Sequence, residues 1–313
     1  MIEQAKNIAI FGHMSPDGDC IAMLGLGKLL EKQKKKVKYF VPNPPSKIFS
    51  FLKKIHRLKS RFDYKTYDLL LFVDFSSMER MGIIYQSNPE YFKDKNILVF
   101  DHHLGDNIPN GTLIKDIHSI SACEVIFEET YKRRPEQYDK EIATYIYMGI
   151  TSDSGNFLFG ENHIRIFTNA LKLLTLADKD FVVNNLIRKK SLNAVKFLQL
   201  LIQRIQEQHG LLYTYYDEEE LQTYNIDQEE ASYGLHIIQN IDGPKIVLLI
   251  RKIGKTIKSL RAKEDLLDSG IDCNIIAKTL GHRLAAGFGI PVIGEFDHQI
   301  HTIVEHIYTM MNK

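Results

Sequence analysis

Cysteine is scarce in this chain, and no run of residues stays apolar for long. The three cysteines, Cys20, Cys123 and Cys273, are an odd, scattered set without a CxxC spacing, which excludes a disulfide framework and a thiolate zinc ribbon. No apolar stretch is long enough to span a bilayer, so no membrane partner is expected. The strand-like pattern starts at once, at Asn7, and leaves no room for a signal peptide, so the chain is read as cytoplasmic. Excess charge is lacking too. Lys+Arg 40 against Asp+Glu 39 gives a net charge of +1, and no global basic field is available to hold long duplex DNA. A short or small anionic substrate in one local pocket is compatible with that balance. Neither an internal repeat nor a low-complexity segment interrupts the 313 residues, which are enough for two domains with separate cores.

What is present is a repeated pattern of short apolar runs that end abruptly in polar, chemically capable residues. Residues 96–100 are apolar apart from Asn96, then Asp101, His102 and His103 follow, and Leu104-Gly105-Asp106 turns the chain. A buried strand delivering polar groups at its C-terminal end is how open α/β sheets build sites. Adjacent histidines leaving a strand are expected to point in opposite directions, one to a metal and the other to substrate. The pattern recurs where residues 7–11 lead into His13, Asp17 and Asp19, and where residues 68–73 lead into Asp74. Asp153 sits in a glycine-containing stretch, 151–157, read as a loop after a helix over 138–149.

Helical spacing is also read over 20–36, 121–131, 163–177 and 180–187, and strands over 37–41 and 112–115. The basic run from Lys53 to Arg61 is read as a solvated helix face and linker. This alternation predicts an α/β fold, a mostly parallel sheet flanked by helices on both faces, over residues 1–187. Residues 188–210 are read as a helical connector, amphipathic over 191–208 and closed by Gly210. Residues 211–313 read as a smaller α/β domain with some antiparallel pairing. Its strands are read over 211–216, 246–251 and 256–262, and its helices over 228–239 and 272–279.

Four carboxylates converging on one sheet edge repel one another unless something cationic lies among them, and two divalent ions balance their charge. Oxygen and imidazole donors without thiolate suit Mn²⁺ or Mg²⁺, with Co²⁺ or Zn²⁺ as alternatives. A pair of such ions activates water and neutralises a phosphoryl oxygen during in-line attack, which points to phosphoester or phosphoanhydride hydrolysis. Singly, each Asp has a structural alternative. Asp17 and Asp19 suit a turn and helix N-cap, and Asp74 or Asp153 could cap helices.

Gly12-His13-Met14-Ser15-Pro16-Asp17-Gly18-Asp19 resembles the first motif of the DHH phosphoesterase superfamily, HxxPDxD. Val73-Asp74 resembles its second motif, Asp101-His102-His103 its third, and the stretch from Thr151 through Asp153 to Phe157 its fourth. The resemblance implies one metal held by His13, Asp17 and Asp74, and a second held by Asp19, Asp74, His102 and Asp153, with Asp74 bridging and Mn²⁺ the expected ion. It implies catalytic roles for Asp74, Asp101 and His103, with Asp101 orienting a histidine and His103 contacting substrate phosphate. In the second domain, Lys258-Ser259-Leu260-Arg261-Ala262 and the stretch from Gly281 and His282 to Phe288 resemble the DHHA1 phosphate-binding strand and glycine-rich signature. They assign Arg261, Gly281 and His282 to substrate. Only one glycine precedes His282, where the family usually has several.

Among superfamily members the two-lobed arrangement resembles the nanoRNase/pAp-phosphatase branch. That implies short single-stranded oligonucleotides, dinucleotides or 3′-phosphoadenosine 5′-phosphate as substrates, lying between the lobes. The alternatives are a phosphoanhydride hydrolase of the pyrophosphatase or exopolyphosphatase kind, a single-strand exonuclease, or a metal-dependent binding protein without catalysis. Oligomeric state is open, a homodimer included.

Overall fold

A computed structural model describes residues 1–105, 108, 110–244, 246–253, 256–258, 260–262, 285, 286, 290, 291 and 294–311; over 253–290 and at 311 the description is of the backbone alone. The chain divides into two compact units, Met1–Lys189 and Lys190–Lys313.

In the first unit the elements follow in the order β1 (Asn7–Phe11), α1 (Gly18–Ile21), α2 (Met23–Lys32), β2 (Lys36–Phe40), β3 (Leu58–Lys59), β4 (Leu69–Val73), α3 (Ile83–Ser87), β5 (Ile97–Asp101), β6 (Gly111–Lys115), α4 (Ala122–Tyr131), α5 (Lys140–Asp153), α6 (His163–Leu174) and α7 (Lys179–Val182). Among the described residues six strands pair, all in parallel, in the order β3-β2-β1-β4-β5-β6. A parallel strand is buried on both faces, so alternate side chains enter different cores. Ile8, Ile10, Leu71, Val73, Leu98 and Phe100 pack in one core with apolar residues of α2, α4 and α5. Ala9, Phe11, Leu70, Phe72, Ile97 and Val99 face the other side.

That second face is covered by an aromatic layer rather than by long helices. Phe62 meets Phe11 at 5.0 Å and 73° and Phe40 at 4.8 Å and 77°, both edge to face. The basic run read as a helix face and linker is here a 3-10 turn, Ile55–Arg57, feeding the edge strand β3. Arg57 pairs with Glu31 and lies over the Tyr39 ring at 4.7 Å, so part of that charge serves the fold.

The strand order reverses at β1 and β4. From β1 the chain moves outward to β2 on one side, and from β4 it moves to β5 on the other. The loops that leave β1 and β4 therefore diverge and open a crevice at the carboxyl ends of the strands.

Two helix boundaries differ from the sequence reading in ways that matter there. The helix read over 20–36 starts earlier and is broken. Asp17 Oδ1 accepts from the Cys20 amide at 2.9 Å and starts α1 at Gly18, Ala22 separates α1 from α2, and Lys34 at φ 62° follows the end. Asp19 thus stands in a first helical turn. The stretch from Thr151 to Asp153, read as loop, is the last turn of α5. Its Gly-Ile-Thr-Ser-Asp sequence suggests a chain break, but Gly149 is there for close approach. A Cβ at that position would lie 2.3 Å from Cys123 Sγ and 2.8 Å from Asp19 Oδ1. The helix read over 180–187 is α7 followed by a π-helical turn, Val183–Arg188.

The second unit comprises α8 (Leu192–Gln203), β7 (Gln206–Gln208), β8 (Leu211–Asp217), α9 (Glu218–Thr223), α10 (Gln228–Ile238), β9 (Ile246–Ile253), β10 (Thr256–Lys258), β11 (Leu260–Ala262), β12 (Ala285–Ala286), β13 (Ile290–Pro291) and a helix, Phe296–Met311. β8 and β9 run parallel, and the other pairings are antiparallel. Leu211, Tyr213, Ile246, Leu248 and Ile250 meet Ile300, Ile303, Val304 and Ile307 of the helix Phe296–Met311. The alternate residues Leu212, Tyr216, Val247 and Leu249 meet Phe197 and Leu201 of α8 and Leu235 and Ile238 of α10.

The helix read over 191–208 stops at Gln203. His209 at φ 56° and Gly210 at φ 75° make a two-residue turn with both residues left-handed, and fold Gln206–Gln208 back on β8. The helix read over 272–279 lies outside the described residues.

Candidate active site

The crevice at the strand ends collects side chains from five places in the first unit. His13 leaves β1. Its Nδ1 lies 2.8 Å from the Met14 carbonyl, so Nδ1 carries the proton and Nε2 faces inward, 2.8 Å from Asp74 Oδ2 and 3.7 Å from Asp17 Oδ2. Asp17 has two roles at once, since Oδ1 caps α1 while Oδ2 turns toward His13. Asp74, just past β4, adopts φ 62°. That left-handed backbone is one Asp tolerates better than most residues, and the carboxylate it turns into the crevice is 2% exposed.

Asp19 and His102 are set by the start of α4. The Asp19 carboxylate accepts the Ala122 amide at 2.7 Å and the Cys123 amide at 2.9 Å, satisfying two N–H groups that α4 leaves open. His102 Nδ1 lies 3.3 Å from the Ser119 carbonyl, and its Nε2 is 3.5 Å from Asp74 Oδ1 and 3.4 Å from Asp153 Oδ2. Asp153 reaches the cluster from the last turn of α5. His103 Nδ1 is 2.9 Å from Asp101 Oδ1 and 3.2 Å from Asp74 Oδ1.

The two histidines do not point in opposite directions. Their rings meet edge to face, 4.6 Å apart, and both address Asp74. β5 ends at Asp101, so strand alternation no longer governs the residues that follow.

Three sets of donors each have ligand atoms within 4.8 Å of one another: His13, Asp17 and Asp74; Asp19, His102 and Asp153; and Asp74, His102 and His103. These side chains fit divalent cations on the chemistry of the contacts. Both His13 and His102 spend the Nδ1 proton on a backbone carbonyl, which turns Nε2 toward carboxylate oxygens. A neutral ring would set lone pair against lone pair there, so the contact calls for either an imidazolium or a cation between.

Electrostatics agree. Burial, then the charge of Asp74, pushes the Asp19 carboxyl up to about 7. Burial, then Asp19, Asp17 and Asp74, raises Asp153 well above the carboxylate range. Burial alone would raise Asp74 too, but the His103 charge and the close approach of the three imidazoles outweigh it and hold Asp74 low. His103 is driven up to about 10, because Asp74 and Asp101 outweigh the effect of burial, and it is an imidazolium at neutral pH. Burial keeps the Cys20 and Cys123 thiols protonated beside the cluster, leaving an oxygen and nitrogen donor set.

Some neighbours carried no sequence signal. Arg80 lies in the 3-10 turn Met78–Met81, with its carbonyl fixed by the Met14 amide at 2.8 Å. Its guanidinium stands 3.9 Å from Asp74 Oδ2 and is 27% exposed. Lys115, at the end of β6, reaches the Gly105 carbonyl and stands 3.8 Å from Asp101 Oδ2. Both sit one loop away from a motif residue, and only the strand order brings them in. Gly281 and His282 lie outside the described residues, and Arg261 is placed in β11 by its backbone alone.

Residues 7–150 match the family model described as DHH family, N-terminal domain. The bifunctional oligoribonuclease and PAP phosphatase NrnA of Mycoplasma pneumoniae is 24% identical over 258 residues, covering 81% of this chain and 78% of that protein. The protein of the same name from Bacillus subtilis is 23% identical over 242 residues, covering 75% of this chain and 74% of the other. The crystal structure of an exopolyphosphatase-related protein from Bacteroides fragilis shares the fold at a TM-score of 0.85 and 21% identity, over 100% of this chain and 95% of that one. Three of the four motifs gathered at the sheet edge, those of His13 to Asp19, of Asp74 and of Asp101 to His103, lie inside the stretch that is similar to the N-terminal domain of the DHH family, and Asp153 lies just beyond it.

Proposed function

We propose that this protein is a divalent-metal-dependent phosphoesterase acting on short oligonucleotides and on 3′-phosphoadenosine 5′-phosphate, with Mn²⁺ as the working ion. The observation that carries the reading is the convergence of acid and imidazole donors within 4.8 Å at the switch point of the sheet. The substrate class follows the curated relatives, which are named for oligoribonuclease and PAP phosphatase activity.

His13, Asp17 and Asp74 would hold one cation, and Asp19, Asp74, His102 and Asp153 the other. When bound, the ions supply charge neutralisation at the phosphoryl oxygens and acidify the attacking water. The chain's own cations complete the site. His103, whose Nδ1 lies 2.9 Å from Asp101 Oδ1, would donate through its other nitrogen to a phosphate oxygen. Asp101 holds the ring in that pose from the end of β5. Arg80 offers a cation whose long 3.9 Å contact with Asp74 and partial exposure suit its fork to a phosphate. Arg261, Gly281 and His282 are assigned to substrate by motif resemblance alone.

The test is hydrolysis by the Mn²⁺-loaded protein of RNAs from dinucleotides upward, 3′-phosphoadenosine 5′-phosphate and pyrophosphate. Fast turnover of the shortest RNAs and of 3′-phosphoadenosine 5′-phosphate is expected. Preference for pyrophosphate would overturn the nucleotide assignment, and equal rates with Mg²⁺ would overturn the assignment of Mn²⁺.

A further inference from the structure

We propose that Glu124, in the first turn of α4, is the positioning residue for His102 and thereby for one of the two metal positions; the inference rests on the metal-site reading above. Glu124 is fully buried, at 0% exposure, a state costly for a carboxylate unless its oxygens are well used. They are. Oε2 accepts from the Ser119 hydroxyl at 2.8 Å and from the Ile120 amide at 3.0 Å, and Oε1 accepts from Asn169 Nδ2 at 2.9 Å. Arg165 Nε stands 3.9 Å away.

The direction of these contacts is what assigns the role. Ser121 caps α4, its hydroxyl accepting the Glu124 amide at 3.0 Å. A Glu three residues after such a cap ordinarily reaches back to the cap's own amide and closes a capping box. Here the side chain passes over Ser121 and grips the two residues before it. One of those is Ser119, whose carbonyl lies 3.3 Å from His102 Nδ1. Fixing that carbonyl fixes the tautomer and tilt of the ring, and so aims Nε2 at Asp74 and Asp153.

The same helix end holds Asp19 through the Ala122 and Cys123 amides. One turn of α4 therefore sets two of the three donors in the Asp19, His102 and Asp153 group. The loop is braced from its far side as well. Arg165 on α6 joins Asp116 at 2.7 Å to Glu128, and Asn169 bridges Glu124 and Glu128. Of the His13, Asp17 and Asp74 group only Asp74 meets His102, and through Oδ1, while His13 addresses its Oδ2, so loss of Glu124 should disturb one ion far more than the other.

The test titrates metal-free protein with Mn²⁺ and follows free Mn²⁺ by electron paramagnetic resonance. Glu124→Gln keeps the volume but turns one acceptor into a donor that faces donors. It is expected to weaken one of the two Mn²⁺ dissociation constants by about tenfold to a hundredfold, the range typical of lost outer partners, with the other constant changed far less. Its turnover should recover at high Mn²⁺. Ser119→Ala removes only the hydroxyl link and should shift the same constant by less, which covers the case in which Glu124→Gln folds poorly. Wild-type constants in both variants would overturn the inference. So would an equal weakening of both constants with a lowered melting temperature, since Glu124 would then serve the fold alone. Two-ion binding by the wild type separates these results from failure of the metal reading, in which the unaltered protein takes up no Mn²⁺.

Discussion

Among the described residues of the crevice, Asp74 gathers the most imidazole and guanidinium neighbours. Three histidines and Arg80 surround its two oxygens, and Oδ1 is buried without a well-formed hydrogen bond. A group so placed serves both donor sets at once, and no neighbouring carboxylate can substitute for it. Asn has nearly the same shape and accepts the left-handed backbone that φ 62° imposes. Asp74→Asn is therefore expected to leave the far-UV circular dichroism unchanged while turnover on every substrate falls by about a thousandfold, the scale on which single groups acting on transition-state charge are lost. A variant within tenfold of wild type would place the chemistry elsewhere.

At the scale of elements, the site depends on how tightly α5 lies against α1 and α4, and Gly149 is a point of close contact with both. Two effects of Gly149→Ala oppose each other. Alanine favours a helix interior by about 1 kcal/mol over glycine, but overpacking a filled core costs about 1–3 kcal/mol. Packing should win, because the new methyl would meet Cys123 Sγ at 2.3 Å and Asp19 Oδ1 at 2.8 Å, both on side chains with 0% exposure. The melting temperature should drop by a few degrees (about 2–4 °C per kcal/mol for a unit of this size), and Mn²⁺ affinity should fall with it as Asp19 is displaced. A more stable variant with unchanged affinity would show that α5 has room to move. The same helix shows what the sequence could and could not reveal. Strand ends were legible, because an apolar run that stops at Asp74 or Asp101 has one physical reading in a buried sheet. The α5 terminus was not, since Gly149 and the polar residues after it look like a turn until the neighbouring sulfur is seen. His102 and His103 were misjudged for a related reason, because alternation applies only while the chain remains a strand. The helix Phe296–Met311, which the sequence reading leaves unassigned, has its signal in Ile300, Ile303, Val304 and Ile307, spaced on one helical face. The aromatic layer around Phe62 has no periodic signature and arises only when the sheet assembles it.

For the whole molecule, crowding of acids without a cation should make stability fall as pH rises. The Asp19 carboxyl ionises near 3.8 in an unfolded chain and at about 7 in the folded one. Between those values the folded state binds the extra proton, so the stability this group contributes is present below about 4 and lost as pH climbs through 7. Asp153, raised well above the same reference, acts in the same sense. His103 extends the trend, since an imidazolium held up to about 10 contributes fully below its ordinary 6.5, and that contribution declines as pH rises from there through the raised value. Asp74 has the opposite sign, but its depressed carboxyl matters only below 3.8. The chelated protein should thus melt at a lower temperature at pH 8 than at pH 5, by an amount bounded at about 1.4 kcal/mol per pH unit per group. Bound Mn²⁺ needs the ionised carboxylates, so the protection it adds should be small at pH 5 and large at pH 8, reversing the slope. Thermal melts in chelator and in Mn²⁺ across that range decide the matter. A chelated protein that melts higher at pH 8, or a Mn²⁺ effect equal at both ends, would mean that these acids do not share one cation-dependent cluster.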